Sequence, residues 1–235
     1  MKKENEFFTS VIIVAAGRGT RMNMDISKQY VEVARKPVIA RTIQVFEDCE
    51  FIHEIILVVN EYDILYCKQE IIEKYGFRKV KSLVTGGSER QNSVYNGLQE
   101  VSKSCKVVLI HDGARPFVKE EIILACIQGA QDFEACCAAI PVKDTIKAVS
   151  EDGFIKETLN RNELWSIQTP QAFQYHVIMT AQQRAVEEGF LGTDDAGLVE
   201  RVGFKVKLIK GSYYNIKITT QEDLILAEAI AEALD

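Results

Sequence analysis

The sequence predicts an α/β fold: a mostly parallel sheet flanked by helices, with one projecting β-hairpin. Three observations predict it. Short runs such as Val11–Ala16, Ile55–Val59 and Val107–Ile110 are apolar at every position, as strands buried on both faces are. The segments between them carry apolar residues at helical spacing. One interruption, two short alternating segments either side of Glu151-Asp152-Gly153, reads as a hairpin. This βαβα order implies a Rossmann-like arrangement, with ligands at the carboxyl ends of the strands. A chain of 235 residues can bury a substantial core, and one domain over residues 1–235 is expected.

The first strand, Val11 to Ala15, runs into Gly17 and Gly19. Pro37 opens a helix with Val38, Ile39, Thr42, Ile43 and Phe46 on one stripe. Ile55–Val59 is the second strand. Tyr62–Tyr75 reads as a helix with Ile64, Leu65, Ile71 and Ile72 inward, ending near Gly76. Val80–Val84 is the third strand, followed by Gly86-Gly87 and a helix through Val94 and Leu98. Val107–Ile110 and Ala135–Ile140 are further strands around a helix carrying Ile122–Ile127. The arm, about residues 141–160, holds Asp144–Val149 and Phe154–Thr158. Gln182–Glu188 and Asp195–Arg201 read as helices and Lys205–Ile209 as a strand. Gln221–Leu234 is a terminal helix capped by Thr219 or Thr220.

A net charge of −6 argues against a nucleic-acid partner, and no apolar run approaches a membrane span. Six cysteines without a C-x-x-C pair and three scattered histidines are poor material for a zinc site. Met1–Ser10 lacks the apolar core of a signal peptide, so a reducing, cytoplasmic setting is expected, with the cysteines as small core residues.

The chemistry is concentrated in the stretch VIIVAAGRGTRM, Val11 to Met22, and Lys28-Gln29-Tyr30 after it. Glycines there let peptide N–H groups approach an anion closely, and Arg21 and Lys28 add full positive charges. Met22 stands where a dinucleotide fingerprint needs its third glycine, and no P-loop string is present. The reading is a polyphosphate cradle rather than a plain turn. Gly86-Gly87-Ser88-Glu89-Arg90-Gln91-Asn92-Ser93 opens a helix, where N–H groups and the Ser93 hydroxyl suit a base, ribose or phosphate. Its plainer reading is a strand-to-helix turn capped by Ser88. In His111-Asp112-Gly113-Ala114-Arg115-Pro116, Asp112 either holds Mg²⁺ bridging nucleotide phosphates or pairs with Arg115 to lock a turn, with His111 packed beside it. Ala114 occupies the place of a second ligand in a D-x-D pair, so metal binding would depend on the nucleotide. Thr145, Arg161, Thr193 and Lys217 form a second set of hydroxyls and cations suited, if they converge, to another phosphate.

The ordered strings A-A-G-R-G-T-R-M, K-Q-Y, G-G-S-E-R-Q-N-S-V, H-D-G-A-R-P, P-V-K-D-T-I-K, Q-T-P-Q-A-F, T-D-D-A and N-I-K-I-T resemble the 2-C-methyl-D-erythritol 4-phosphate cytidylyltransferases of the non-mevalonate isoprenoid pathway. The likeness runs from about Val11 to the last helix. Gly113 and Gly197 depart from it, standing where alanine and serine are usual. The resemblance implies transfer of CMP from CTP to the alcohol phosphate with Mg²⁺ as cofactor. It implies Arg21 and Lys28 as the catalytic cations, and Arg161, Lys217, Thr145 and Thr193 as the residues that position the acceptor. It implies Ala15, Ala16, Gly17, Gly19, Gly87, Ser93 and Asp112 at the nucleotide, Asp112 toward the metal, and a homodimer joined by the arms. Ribitol-5-phosphate cytidylyltransferase is the nearest alternative; a nucleotide-binding regulatory module is another, which the retention of Arg21 and Lys28 argues against.

Overall fold

The computed structural model describes residues 7–17 and 28–234. In chain order the elements are β1 (Phe8–Ala15), β2 (Glu32–Val33), β3 (Lys36–Pro37), α1 (Val38–Asp48) and β4 (Glu54–Val59). There follow α2 (Ile64–Tyr66), which continues as a π-helical segment (Cys67–Glu73), then β5 (Val80–Thr85), α3 (Arg90–Gln99), β6 (Cys105–Asp112) and α4 (Glu120–Phe133). The chain ends with β7 (Ala135–Pro141), β8 (Lys147–Val149), β9 (Ile155–Thr158), β10 (Trp165–Gln174), α5 (Tyr175–Glu187), α6 (Asp195–Arg201), β11 (Lys207–Lys210) and α7 (Gln221–Leu234).

Seven of these strands form one sheet in the order β11-β7-β10-β6-β1-β4-β5. β1 pairs in parallel with β4 and β6, β4 with β5, and β11 with β7. β10 alone among the described strands of this sheet runs antiparallel, against both β6 and β7. Sequence reasoning missed β10. Its residues, with Pro170 and three glutamines, do not look like a sheet-centre strand. The pairing with β7 breaks between Ile167 and Gln171, which accommodates that proline.

Alternate residues of β1 supply the two cores. Val11, Ile13 and Ala15 face α1, the π-helical segment and α4; Ile12 faces α3, α5 and α6. Ile39, Ile43 and Phe46 of α1 are fully buried, each worth about 2 kcal/mol of burial. A smaller cluster joins Val33, Val38 and Phe117 to Ile218 and to Ala227, Ile230 and Ala231 of α7. That last helix opens on the expected cap. The Thr220 hydroxyl accepts from the Asp223 N–H at 3.3 Å while the Asp223 carboxylate accepts from the Thr220 N–H at 2.9 Å.

One helical face differs from expectation. Leu65, read as inward, is 64% exposed, whereas Cys67 and Ile71 are fully buried. The change from α to π winding after Tyr66 turns the apolar face away from the regular helical phase. All six cysteines are buried and free. The expected hairpin is present as β8 and β9, paired antiparallel and apart from the main sheet. No helix among the described residues is long and apolar enough to cross a membrane.

Candidate active site

The carboxyl ends of β1, β4, β5 and β6 open onto a cavity of about 720 Å³. Ala15, Ala16, Gly17, Gly87, Ser93 and Asp112 of the expected nucleotide set line it, with Lys217. Gly19 and Arg21 lie outside the described residues. Of Lys28 only the backbone is described, in a 3₁₀ turn with Gln29 and Tyr30. Gln29 Nε2 donates to the Ala15 carbonyl at 3.0 Å, tying that turn to the end of β1.

The Gly86-Gly87 loop is shaped by its own hydrogen bonds. The Gly86 N–H donates to the Val59 carbonyl at 2.8 Å and the Gly87 N–H to Ser93 Oγ at 3.1 Å. Ser93 Oγ in turn donates to the Glu89 carbonyl at 3.1 Å. The Ser93 hydroxyl therefore organises the loop, and the N–H groups of Gly86 and Gly87 are already spent. A Cβ on Gly86 would overlap the Ala16 Cβ, and one on Gly87 the Asn92 Cβ, so only glycine lets these backbones approach so closely. The helix is capped not by Ser88 but by Glu89, through a reciprocal box with Asn92.

Asp112 ends β6 and is held on every side. Its N–H donates to Thr169 Oγ1 at 3.1 Å. Arg90 Nε lies 3.3 Å from Oδ1, Lys217 Nζ 2.7 Å from Oδ2, and Arg115 Nε 3.7 Å from Oδ2. Burial would raise its pKa, but Arg90 first, then Lys217 and Arg115, hold the carboxyl well below the usual carboxylate range. The turn-locking pair with Arg115 exists, but as the longest of three ionic contacts. The Arg115 carbonyl, 3.0 Å from His111 Nε2, can only accept, so in the neutral ring Nδ1 is the bare nitrogen and takes the Thr169 hydroxyl hydrogen at 3.0 Å. His111 Nε2 carries the proton donated to that carbonyl. Burial pushes this neutral imidazole down to about 4. Gly113 is not loose: its N–H donates to the Val14 carbonyl at 2.9 Å and its carbonyl accepts from Thr42 Oγ1 at 2.9 Å.

A second cavity, about 460 Å³, lies against β10 and the start of α6, lined by Arg115, Gln168, Thr169, Thr193 and Asp194 among others. Arg90, Asp112 and Lys217 line both cavities. Lys217 is brought there by the backbone of N-I-K-I-T. The Ile218 N–H donates to the Ala114 carbonyl at 2.9 Å, Arg115 Nη1 to the Asn215 carbonyl at 2.7 Å, and Asn215 Nδ2 to the Thr169 carbonyl at 2.8 Å. Thr193 and Lys217 thus line one cavity, a convergence the sequence left open. Thr145 and Arg161 do not join them: both are exposed, line neither cavity, and Arg161 Nη1 donates to the Lys143 carbonyl at 3.2 Å. Arg90 was passed over in the sequence, although it stands inside one of its distinctive strings.

No group of three or more His, Cys, Asp or Glu residues among the described ones forms a metal cage. Asp112, ionised and lining both cavities, is the carboxylate that would meet Mg²⁺ carried by nucleotide phosphates. The ion would take the place of one of its present cationic contacts and complete its oxygen shell largely without the protein.

The model of the family IspD, 2-C-methyl-D-erythritol 4-phosphate cytidylyltransferase, matches residues 9–233. A 2-C-methyl-D-erythritol 4-phosphate cytidylyltransferase of Caldanaerobacter subterraneus is 52% identical over 219 residues, covering 93% of this chain and 96% of the relative. One from Alkaliphilus oremlandii is 52% identical over 227 residues, covering 97% and 96%. The crystal structure of 4-diphosphocytidyl-2C-methyl-D-erythritol synthase from Anaerococcus prevotii superposes with a TM-score of 0.86 at 37% identity, covering 97% of each chain. The chain belongs to the 2-C-methyl-D-erythritol 4-phosphate cytidylyltransferase family.

Proposed function

We propose that the chain transfers CMP from CTP to 2-C-methyl-D-erythritol 4-phosphate, releasing pyrophosphate and forming 4-diphosphocytidyl-2-C-methyl-D-erythritol for isoprenoid precursor synthesis. The observation that carries this reading is the pair of adjoining cavities that share Arg90, Asp112 and Lys217. A nucleotide in the first and a phosphorylated alcohol in the second place the two phosphates against one another. The acceptor phosphate oxygen attacks the α-phosphorus in line, the bond to the β-phosphate oxygen breaks, and pyrophosphate leaves with that electron pair. No covalent enzyme intermediate is needed.

Lys217 and Thr193 hold the acceptor phosphate, while Arg21 and Lys28 meet the charge that grows on the α-phosphoryl oxygens. Asp112 would hold Mg²⁺ together with the nucleotide; bound there, the ion supplies charge neutralisation of the phosphates. Thr145 and Arg161 sit on or beside the arm, away from both cavities of their own chain. They serve the acceptor site of a second copy in a homodimer, which also covers the exposed Val149, Phe154 and Ile155 of the arm. The reaction is a cytoplasmic one.

Pyrophosphate release is measured with CTP and Mg²⁺, pairing 2-C-methyl-D-erythritol 4-phosphate against ribitol 5-phosphate, with ATP as the nucleotide control. Turnover with CTP and the methylerythritol phosphate is expected. Preference for ribitol 5-phosphate, or no turnover with either acceptor, overturns the reading. Sedimentation tests the dimer, and a stable active monomer excludes it.

A further inference from the structure

Arg90 is the first residue of α3, so its side chain leaves the helix where the Gly86–Glu89 loop floors the nucleotide cavity. Its guanidinium makes two contacts in different directions. Nε is 3.3 Å from Asp112 Oδ1, and Nη1 is 2.7 Å from Asp195 Oδ2. Asp195 is the first residue of α6 and is 1% exposed. Thr193 lies just before it, after the Gly192 N–H that donates to Gln91 Oε1 at 2.8 Å. One planar fork therefore ties together the helix beside the nucleotide, the end of β6 and the segment that lines the acceptor cavity.

Asp195 depends on this contact. Burial raises its carboxyl pKa, and the Arg90 charge and hydrogen bond are what oppose that rise. Asp112 is neutralised by Arg90 as well as by Lys217. That redundancy matters for Lys217, which must turn to an incoming phosphate. With Arg90 in place, the Asp112 carboxylate keeps a partner when Lys217 moves.

We infer that Arg90 is a positioning residue that registers the nucleotide and acceptor cavities on one another by holding Asp112 and Asp195 at the same time. This rests on the cytidylyltransfer proposed above. A lysine at this place brings a single point charge and cannot span two carboxylates as the fork does. Arg90→Lys therefore keeps a cation beside Asp112 but loses the registration. Misplacement of reacting groups by about 1 Å costs on the order of 10²-fold in rate.

The test uses the full-length protein, with wild type assayed alongside so that failure of the activity itself is seen separately. Arg90→Lys, Arg90→Gln, Asp195→Asn and the Arg90→Gln/Asp195→Asn double variant are compared in pyrophosphate release. CTP affinity is read by calorimetry and folding by thermal melts. For Arg90→Lys, kcat/KM for the acceptor is expected to fall about 10²-fold, with CTP affinity changed less than threefold. The double variant is expected to match the worse single variant rather than the product of the two. Unchanged acceptor kinetics in Arg90→Lys, full additivity in the double variant, or an activity loss that simply tracks a lowered melting temperature in every variant overturns the inference.

Discussion

Replacing the Thr169 hydroxyl by a methyl, with the side-chain shape kept, tests the polar bridge beneath Asp112. Thr169 is 4% exposed, and its Oγ1 links the Asp112 N–H at 3.1 Å to His111 Nδ1 at 3.0 Å. Thr169→Val leaves both groups buried without a partner. The imidazole cannot compensate by changing tautomer, because Nε2 must keep its proton for the Arg115 carbonyl. Each orphaned group costs about 1–3 kcal/mol, so the variant is expected to lose about 2–6 kcal/mol of stability. Thr169→Ser keeps the hydroxyl and loses only a methyl, worth about 1 kcal/mol. Urea unfolding of the two variants reads the difference as a shift in midpoint at constant slope. Thr169→Val must be clearly the less stable. Equal midpoints, or a more stable valine variant, would show that the hydroxyl is not the bridge described, and the tautomer assigned to His111 would fall with it.

Three further outcomes follow from the site and the reaction proposed for it. Gly86→Ala forces a methyl into the Ala16 Cβ, so CTP affinity measured by calorimetry should drop at least about tenfold, the equivalent of 1.4 kcal/mol; unchanged affinity would mean the two loops do not touch. Lys28→Ala should lower kcat by about 10²–10³, whereas Lys217→Ala should chiefly raise the acceptor KM, and normal turnover by Lys28→Ala at saturation would remove it from the reaction. His111 is held at about 4 against an ordinary 6.5. Its folded pKa is depressed, so the unfolded chain takes up the proton first: the contribution is complete above pH 6.5 and is lost as pH falls toward 4, by about 3 kcal/mol. Urea midpoints should decline through that window and flatten in His111→Gln; a flat wild-type profile refutes it.

Much of the molecule was legible because its strongest signals are local. Val11–Ala15 and Ile55–Val59 are apolar throughout, and such runs have few alternatives to a buried parallel strand. Gly86 and Gly87 mark a close backbone approach that the Ala16 and Asn92 side chains bear out. What escaped notice depends on distant partners. β10 is held in the sheet centre by pairing with β6 and β7, not by its own propensity. Arg90 gains its meaning from Asp112, 22 residues away, and Asp195, 105 away, and no spacing rule connects them. The Ser93 hydroxyl also shapes its own loop, accepting from the Gly87 N–H and donating to the Glu89 carbonyl, a role that no local signal in the sequence announces.

The reversed strand β10 has a consequence for how this architecture can change. The walls of the nucleotide cavity come mainly from the first half of the chain, through β1, β4, β5 and β6; those of the second cavity come largely from residues after Cys137. β10 meets β6 along the seam between these halves, and the break in its pairing with β7, between Ile167 and Gln171, falls on the later side. Substitutions on the later side can reshape what is accepted while the earlier side, with its glycine-crowded loop, is left untouched. Inheritance of one nucleotide donor by enzymes with different alcohol acceptors then requires no new fold, only drift on one bank of the seam. Lys217, which comes from the later half yet reaches the Asp112 carboxylate of the earlier, is the toll point that such drift must leave standing.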